Sequence, residues 1–173
     1  MSDLTKTFKA LLVEMINVAN PDGTQIKAAD FTVGVPSASS AQAGKNTAVV
    51  LTGEQTAGYT GTQTVYYNRL DIGSDIGATG DRIFDAEGKT KVSHVITEFN
   101  ARFKTNLVAG KDYTEADLPT FVGNPGEQHD VVVAMLAGSE MFINSVTLTV
   151  KIATRDIAEV IVNNNLDGLT YTP

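Results

Sequence analysis

Ser145-Val146-Thr147-Leu148-Thr149-Val150-Lys151-Ile152 alternates polar and apolar residues along its whole length. That two-residue period is the mark of a β-strand with one wet and one buried face, since successive side chains leave opposite sides. Just upstream, Val131-Val132-Val133-Ala134-Met135-Leu136 is apolar on both parities, so the run Asp130 to Leu136 is expected to lie centrally in a sheet. The two runs are joined across Gly138-Ser139-Glu140, a turn signal. A second pair of strand-like runs, Thr47 to Thr52 and Thr62 to Leu70, is rich in β-branched and aromatic residues and is bridged by residues 53–61.

Each pair of strands follows an amphipathic stripe. From Leu4 to Val18, Leu4, Phe8, Leu11, Leu12, Met15 and Ile16 recur at three- and four-residue steps, which places them on one side of a helix. Asp3 or Ser2 is the expected cap, and Asn20-Pro21-Asp22-Gly23 ends the run because Pro cannot continue a helix. Val92, Val95, Ile96, Phe99 and Phe103 repeat the pattern and fade by Asn106. A similar phrase comes after each helix, Ala29-Asp30-Phe31-Thr32-Val33-Gly34 and Ala116-Asp117-Leu118-Pro119-Thr120-Phe121-Val122-Gly123. The expected fold is α+β, in one domain over residues 1–173. An antiparallel sheet of about four or more strands carries both helices on one face, as a pseudo-repeat of helix-plus-hairpin halves near 1–72 and 89–153. Residues 72–88 read as a crossover, Pro36 to Lys45 as a mobile loop or one that orders against a neighbour, and 154–173 as a C-terminal arm.

Composition narrows the chemistry. The chain of 173 residues has no Cys, which removes disulfides, thiol nucleophiles and Cys-based zinc sites. Thirteen basic against 20 acidic residues give a formal charge of -7, which repels a polyanion, so nucleic acid is not an expected partner. Neither a basic, apolar leader nor a run long enough to span a bilayer is evident, so synthesis in a cytoplasm and no membrane partner are expected.

Gly88-Lys89-Thr90 resembles the end of a phosphate loop, but the glycine required five residues before Gly88 is Ile83, and an ordinary turn fits better. Asp71, Asp75, Asp81, Asp85 and Glu87 could supply oxygen ligands, although their spacing is not that of an EF-hand, and a solvated acidic loop is the better reading. His94 and His129 are the only histidines, far apart and read as surface or satisfied polar residues. With no nucleophile elbow and no dinucleotide fingerprint, the reading is non-enzymatic, with no cofactor, metal or catalytic residue assigned. The densest feature is Tyr66-Tyr67-Asn68-Arg69-Leu70-Asp71. Tyr67 and Arg69 share one strand face, and Tyr and Arg are enriched where proteins meet. The interface expected from the sequence therefore comprises Tyr67 and Arg69 with Tyr59, and Leu169 and Tyr171 of the arm. The alternative places Tyr66 in the core and pairs Arg69 with Asp71 or a nearby acid.

Asn46-Thr47-Ala48-Val49-Val50-Leu51-Thr52, Gly58-Tyr59-Thr60-Gly61-Thr62 and Val65-Tyr66-Tyr67-Asn68-Arg69-Leu70-Asp71 resemble a module of virion structural proteins in large tailed bacteriophages. The helix leading to Ala28-Ala29-Asp30-Phe31-Thr32-Val33-Gly34 and the terminal Leu166-Asp167-Gly168-Leu169-Thr170-Tyr171 are similar to it as well. The resemblance implies a particle component of capsid, neck, tail or baseplate, partnered by other virion proteins and by itself, located in the virion and without catalytic residues. Two rival readings stand beside it. One is a carbohydrate- or receptor-binding module using Tyr59, Tyr66 and Tyr67. The other is a small metal-dependent hydrolase built on Asp81 and Asp85.

Overall fold

The computed structural model describes residues 3–124 and 126–154. Helix α1, Phe8–Ala19, starts later than the stripe suggests, because Thr7 rather than Asp3 caps it by accepting from the Ala10 amide at 3.4 Å. Asp3 instead folds the chain before the helix, accepting from the Thr5 amide and hydroxyl. Leu4 lies in that turn, off the helix, and packs against the far half of the molecule. At the other end the Asn20 amide bonds back to Ile16 and Asn17, and Pro21 prevents continuation. Helix α2, Val92–Phe103, buries the expected Val92, Val95, Ile96 and Phe99, and Lys104 closes it in the left-handed conformation at φ 55°.

The chain is α+β, and its strands fall into three sheets. In the first, β3 (Thr47–Gly53) is central; β1 (Phe31–Val33) and β2 (Ser37–Ala38) share one side of it and β4 (Thr62–Tyr67) takes the other, all antiparallel. Thus part of the Pro36 to Lys45 loop is strand. The short β5 (Leu70–Asp71) runs parallel to β8 (Phe142–Ile143) in a sheet of two. In the third, β9 (Ser145–Lys151) is central between β6 (Ile83–Asp85), parallel, and β7 (Gln128–Ala134), antiparallel. The β7 run, expected in the middle, is an outer strand with Val132 66% exposed, and the alternating β9 takes the centre.

One shared layer does not form because the predicted strand Thr62 to Leu70 breaks at Asn68-Arg69. There the Asn46 amide donates to Asn68 Oδ1, and the Arg69 amide donates to Asn46 Oδ1, both at 2.9 Å. Side-chain amides thus take over from the backbone ladder, and the chain turns out of the first sheet towards the second half. The pseudo-repeat is not confirmed. Its first phrase becomes β1, whereas the second forms no strand and instead bonds to the approach to α2, through Val92 to Ala116 and Leu118 to Thr90.

Two apolar clusters result. The larger holds α2 on the third sheet, with Phe84, Phe99, Tyr113, Phe142 and Leu148 among its buried members. The smaller holds α1 on the first sheet around Phe8, Leu12, Phe31, Val49, Leu51 and Tyr67. Each helix covers its own sheet rather than a common one, and half-buried Met141 packs against both clusters.

Candidate interaction surface

Tyr67 and Arg69, expected to face another subunit, are 6% and 8% exposed and join the two halves of this chain. The Tyr67 hydroxyl donates to the Glu140 carbonyl at 2.7 Å, and its ring lies 5.0 Å from that of Phe8. Burial pushes its pKa up, partly offset by the charge of Arg69. The Arg69 guanidinium donates through Nε to Thr47 Oγ1 at 3.0 Å and through one terminal nitrogen to the carbonyls of Ala137 and Ser139, at 2.9 and 3.1 Å. It finds carbonyls rather than the acid Asp71. Ser139 passes the network on by donating its hydroxyl to buried Asp112 at 2.7 Å. A planar fork of donors suits such convergent oxygen acceptors, so the residue types fit an internal clasp. Within the pair of tyrosines, Tyr66 is the outward one, 37% exposed.

The exposed apolar surface lies beside the clasp. α1 covers the first sheet only in part, leaving Val65 of β4 and Ile26 half-buried. A groove of about 1190 Å³ opens there, with Met15, Ile16 and Val18 on one wall and Tyr59, Val65 and Tyr66 on the other. Met15 is 39% and Val18 80% exposed, so Met15, expected on the buried stripe, instead forms a rim with Val18. The loop carrying Ile26 is fixed to α1 by Asn17, whose side chain donates to the Ile26 carbonyl and accepts from its amide, both at 2.9 Å. The groove therefore has a held wall. Of the sequence-predicted residues, Tyr59 and Tyr67 reach this groove, Arg69 sits behind it, and Leu169 and Tyr171 lie outside the described residues. Sequence reading missed Met15 as surface, and periodicity held no warning: seven residues after Phe8 and four after Leu11, it falls on the side of the helix that buries them.

The polar candidates are engaged elsewhere. Lys89, the phosphate-loop lysine, donates to the Asp85 carbonyl and pairs with Glu98 at 2.9 Å. Glu115 accepts from the Ser93 amide at the start of α2, so a carboxylate already meets that helix end; the bond holds its carboxyl below the usual range. Asp71 accepts from Asn144, Gly73 and Ser74, with the Asn144 bond chiefly lowering its pKa. Asp85 accepts from the Glu87 amide, and Asp81 lies in a 3-10 turn. His94 accepts from Thr90, and His129 bonds to Glu127 with its ring against Phe121. Among the described residues, no three His, Asp or Glu side chains gather where a metal could be held, and no helix is long and apolar enough to cross a membrane.

A family model matches residues 1–173, and the chain belongs to that family, DUF7941, a family of unknown function. Neither a curated protein nor a solved structure matches it.

Proposed function

We propose that this DUF7941 chain is a non-enzymatic structural subunit of a tailed-phage virion, assembling in multiple copies through protein–protein contacts. The observation that supports this is the groove between α1 and β4, an apolar surface with a held backbone and only a partial cover. Water disfavours such a surface, and a neighbouring virion protein that lays an apolar segment along it gains the burial that α1 leaves incomplete. Among the described residues β4 pairs with β3 alone, and its other side, on the same groove, offers backbone groups for an added strand.

Mass spectrometry of purified particles from the source tests the assignment: the protein is expected at a stoichiometry of several copies per particle, and its absence overturns the reading. The groove is tested by Val18→Asp. The side chain is 80% exposed, so folding stability should change by no more than about 0.5 kcal/mol, while incorporation into particles falls at least tenfold. A second reading, glycan binding, draws on Tyr59 and Tyr66 lining the same groove. A glycan-array signal from the isolated protein, lost on Tyr66→Ala, would replace the structural reading.

A further inference from the structure

Strand β4 pairs, among the described residues, with β3 alone. The Gly53 amide donates to the Gly61 carbonyl at 2.9 Å. Alternation along the antiparallel ladder then turns the backbone groups of Gln63, Val65 and Tyr67 towards β3, and those of Thr62, Thr64 and Tyr66 outwards. The Gln63 side chain donates to the Thr64 carbonyl at 3.2 Å, as an outward carbonyl allows. We propose that a second copy of this chain fills this edge, its own β4 running antiparallel about a twofold axis perpendicular to the sheet. The pairing rests on the groove beside α1 being a docking surface, and it names the occupant.

Protein edges are normally guarded against such pairing by charge, proline or brevity. Strands β1, β2 and β6 are two or three residues long, and the longer β7 carries Asp130. By contrast, β4 is six residues of Thr, Gln, Val and Tyr, with neither charge nor proline. Charge also points to a copy. Two chains of formal charge -7 repel one another at long range, yet the groove beside β4 is lined by one acid and one base, Asp30 and Lys45. Asp30 precedes Phe31, which lies opposite Gly53 and so towards the Thr62 end of β4; Lys45 comes shortly before Thr47, opposite Tyr67 at the other end. Antiparallel pairing sets the Thr62 end of each β4 against the Tyr67 end of its copy, so the acidic end meets the basic end on both sides of the axis. The register follows from the outward groups, because centring on Thr64 engages every one of them. Thr64 exchanges bonds with its counterpart, Thr62 with Tyr66 of the copy, and Gln63 lies opposite Val65. Both α1 helices come to the same side of one continuous sheet, with their Met15 and Val18 rims turned to the seam.

The absence of cysteine from the sequence makes the register testable. Gln63→Cys and Val65→Cys are prepared as separate full-length variants and oxidised alone and mixed. Opposed residues of a non-hydrogen-bonded pair lie about 4.5 Å apart at Cα, within reach of a disulfide. A covalent dimer is expected in the mixture, with little from either variant alone. Bridging of one variant with itself and none in the mixture would mean another register, and no bridging at all would mean no pairing at this edge; either overturns the proposal. Thr64→Pro supplies a second readout by light scattering. Its amide points away from β3, so the fold should survive, while the dissociation constant of the dimer rises roughly a hundredfold. A parent that stays monomeric, or a folded Thr64→Pro that associates as the parent does, overturns the proposal; if the variant unfolds, the cysteine pair decides. Mass spectrometry of particles keeps the two readings apart. A monomer in isolation that is present in particles overturns the pairing alone and leaves the edge to a different protein, whereas a dimer absent from particles supports the pairing and overturns the virion reading.

Discussion

The two halves of the molecule hold one helix and one principal sheet each, yet they bury very different amounts of apolar side chain. Among the described residues, 16 buried side chains form the cluster under α2 and six form the one under α1. The difference comes from what surrounds each helix. Around α2, the crossover supplies Ile72, Ile76 and Phe84, and the stretch before β7 supplies Leu107, Tyr113 and Leu118, so the helix is packed from several sides. Around α1 the described residues give no comparable cover on the β4 side, and Met15 and Val18 are exposed. A small cluster open on one side marks where a fold expects company, while a closed one carries stability.

Truncation should separate the halves most sharply. Phe99 is fully buried, with rings of Phe103 at 4.6 Å and Phe84 at 6.3 Å, so Phe99→Ala is expected to cost about 3–5 kcal/mol in chemical denaturation. Leu12→Ala in the smaller cluster should cost about 2–3 kcal/mol, at the low end for such a change, because its surroundings are open and can relax. Equal costs would break the comparison.

The clasp between the halves ranks next. Arg69→Met keeps bulk but removes donors from Thr47, Ala137 and Ser139, and should lower stability by about 2–3 kcal/mol. It should also uncouple the halves, so that a probe in the first sheet and one near α2 no longer melt together. A single unchanged transition would show that Met141 and the β5–β8 pair suffice to join them.

The range of the forces involved decides how much of this was legible in the sequence. Both helices and the β9 alternation could be read there because burial on one side of a regular element leaves a local period. The partition into three sheets could not, because it is set by Asn46 bonding to Asn68 and Arg69 more than 20 residues away, and amide side chains carry no period. Tyr66 and Tyr67 show the same limit: alternation says that they face opposite ways but not which way is in, and the choice depends on Phe8 and on a carbonyl 73 residues along the chain. Arg69 as an interface residue failed for that reason too, since its partners at 137 and 139 are distant in sequence. The apolar β7 run misled because Val132 faces outward on an outer strand, where hydrophobicity alone cannot reveal position. Of the site, Tyr59 and Tyr67 were anticipated; the groove itself was not, since it consists of what α1 fails to cover.

Alkaline pH probes the closed half through Tyr113. The side chain is 1% exposed, and burial, with Glu115 and Asp112 adding to it, raises its pKa from 10.0 to about 12. A phenol that resists ionisation in the folded chain holds its proton longer than in the unfolded chain. Its contribution is thus complete below pH 10, shrinks as pH rises towards 12, and is gone above that, a total of roughly 2–3 kcal/mol. Tyr113→Phe should remove this loss: between pH 10 and 12 its stability should fall less steeply than that of the parent, measured by denaturant midpoints at each pH. In Arg69→Met, where the halves are expected to melt apart, the effect of Tyr113→Phe should appear only in the probe near α2. If it moves the first-sheet probe equally, the halves are still one cooperative unit, and the open groove beside α1 then draws its support from the closed core across the clasp.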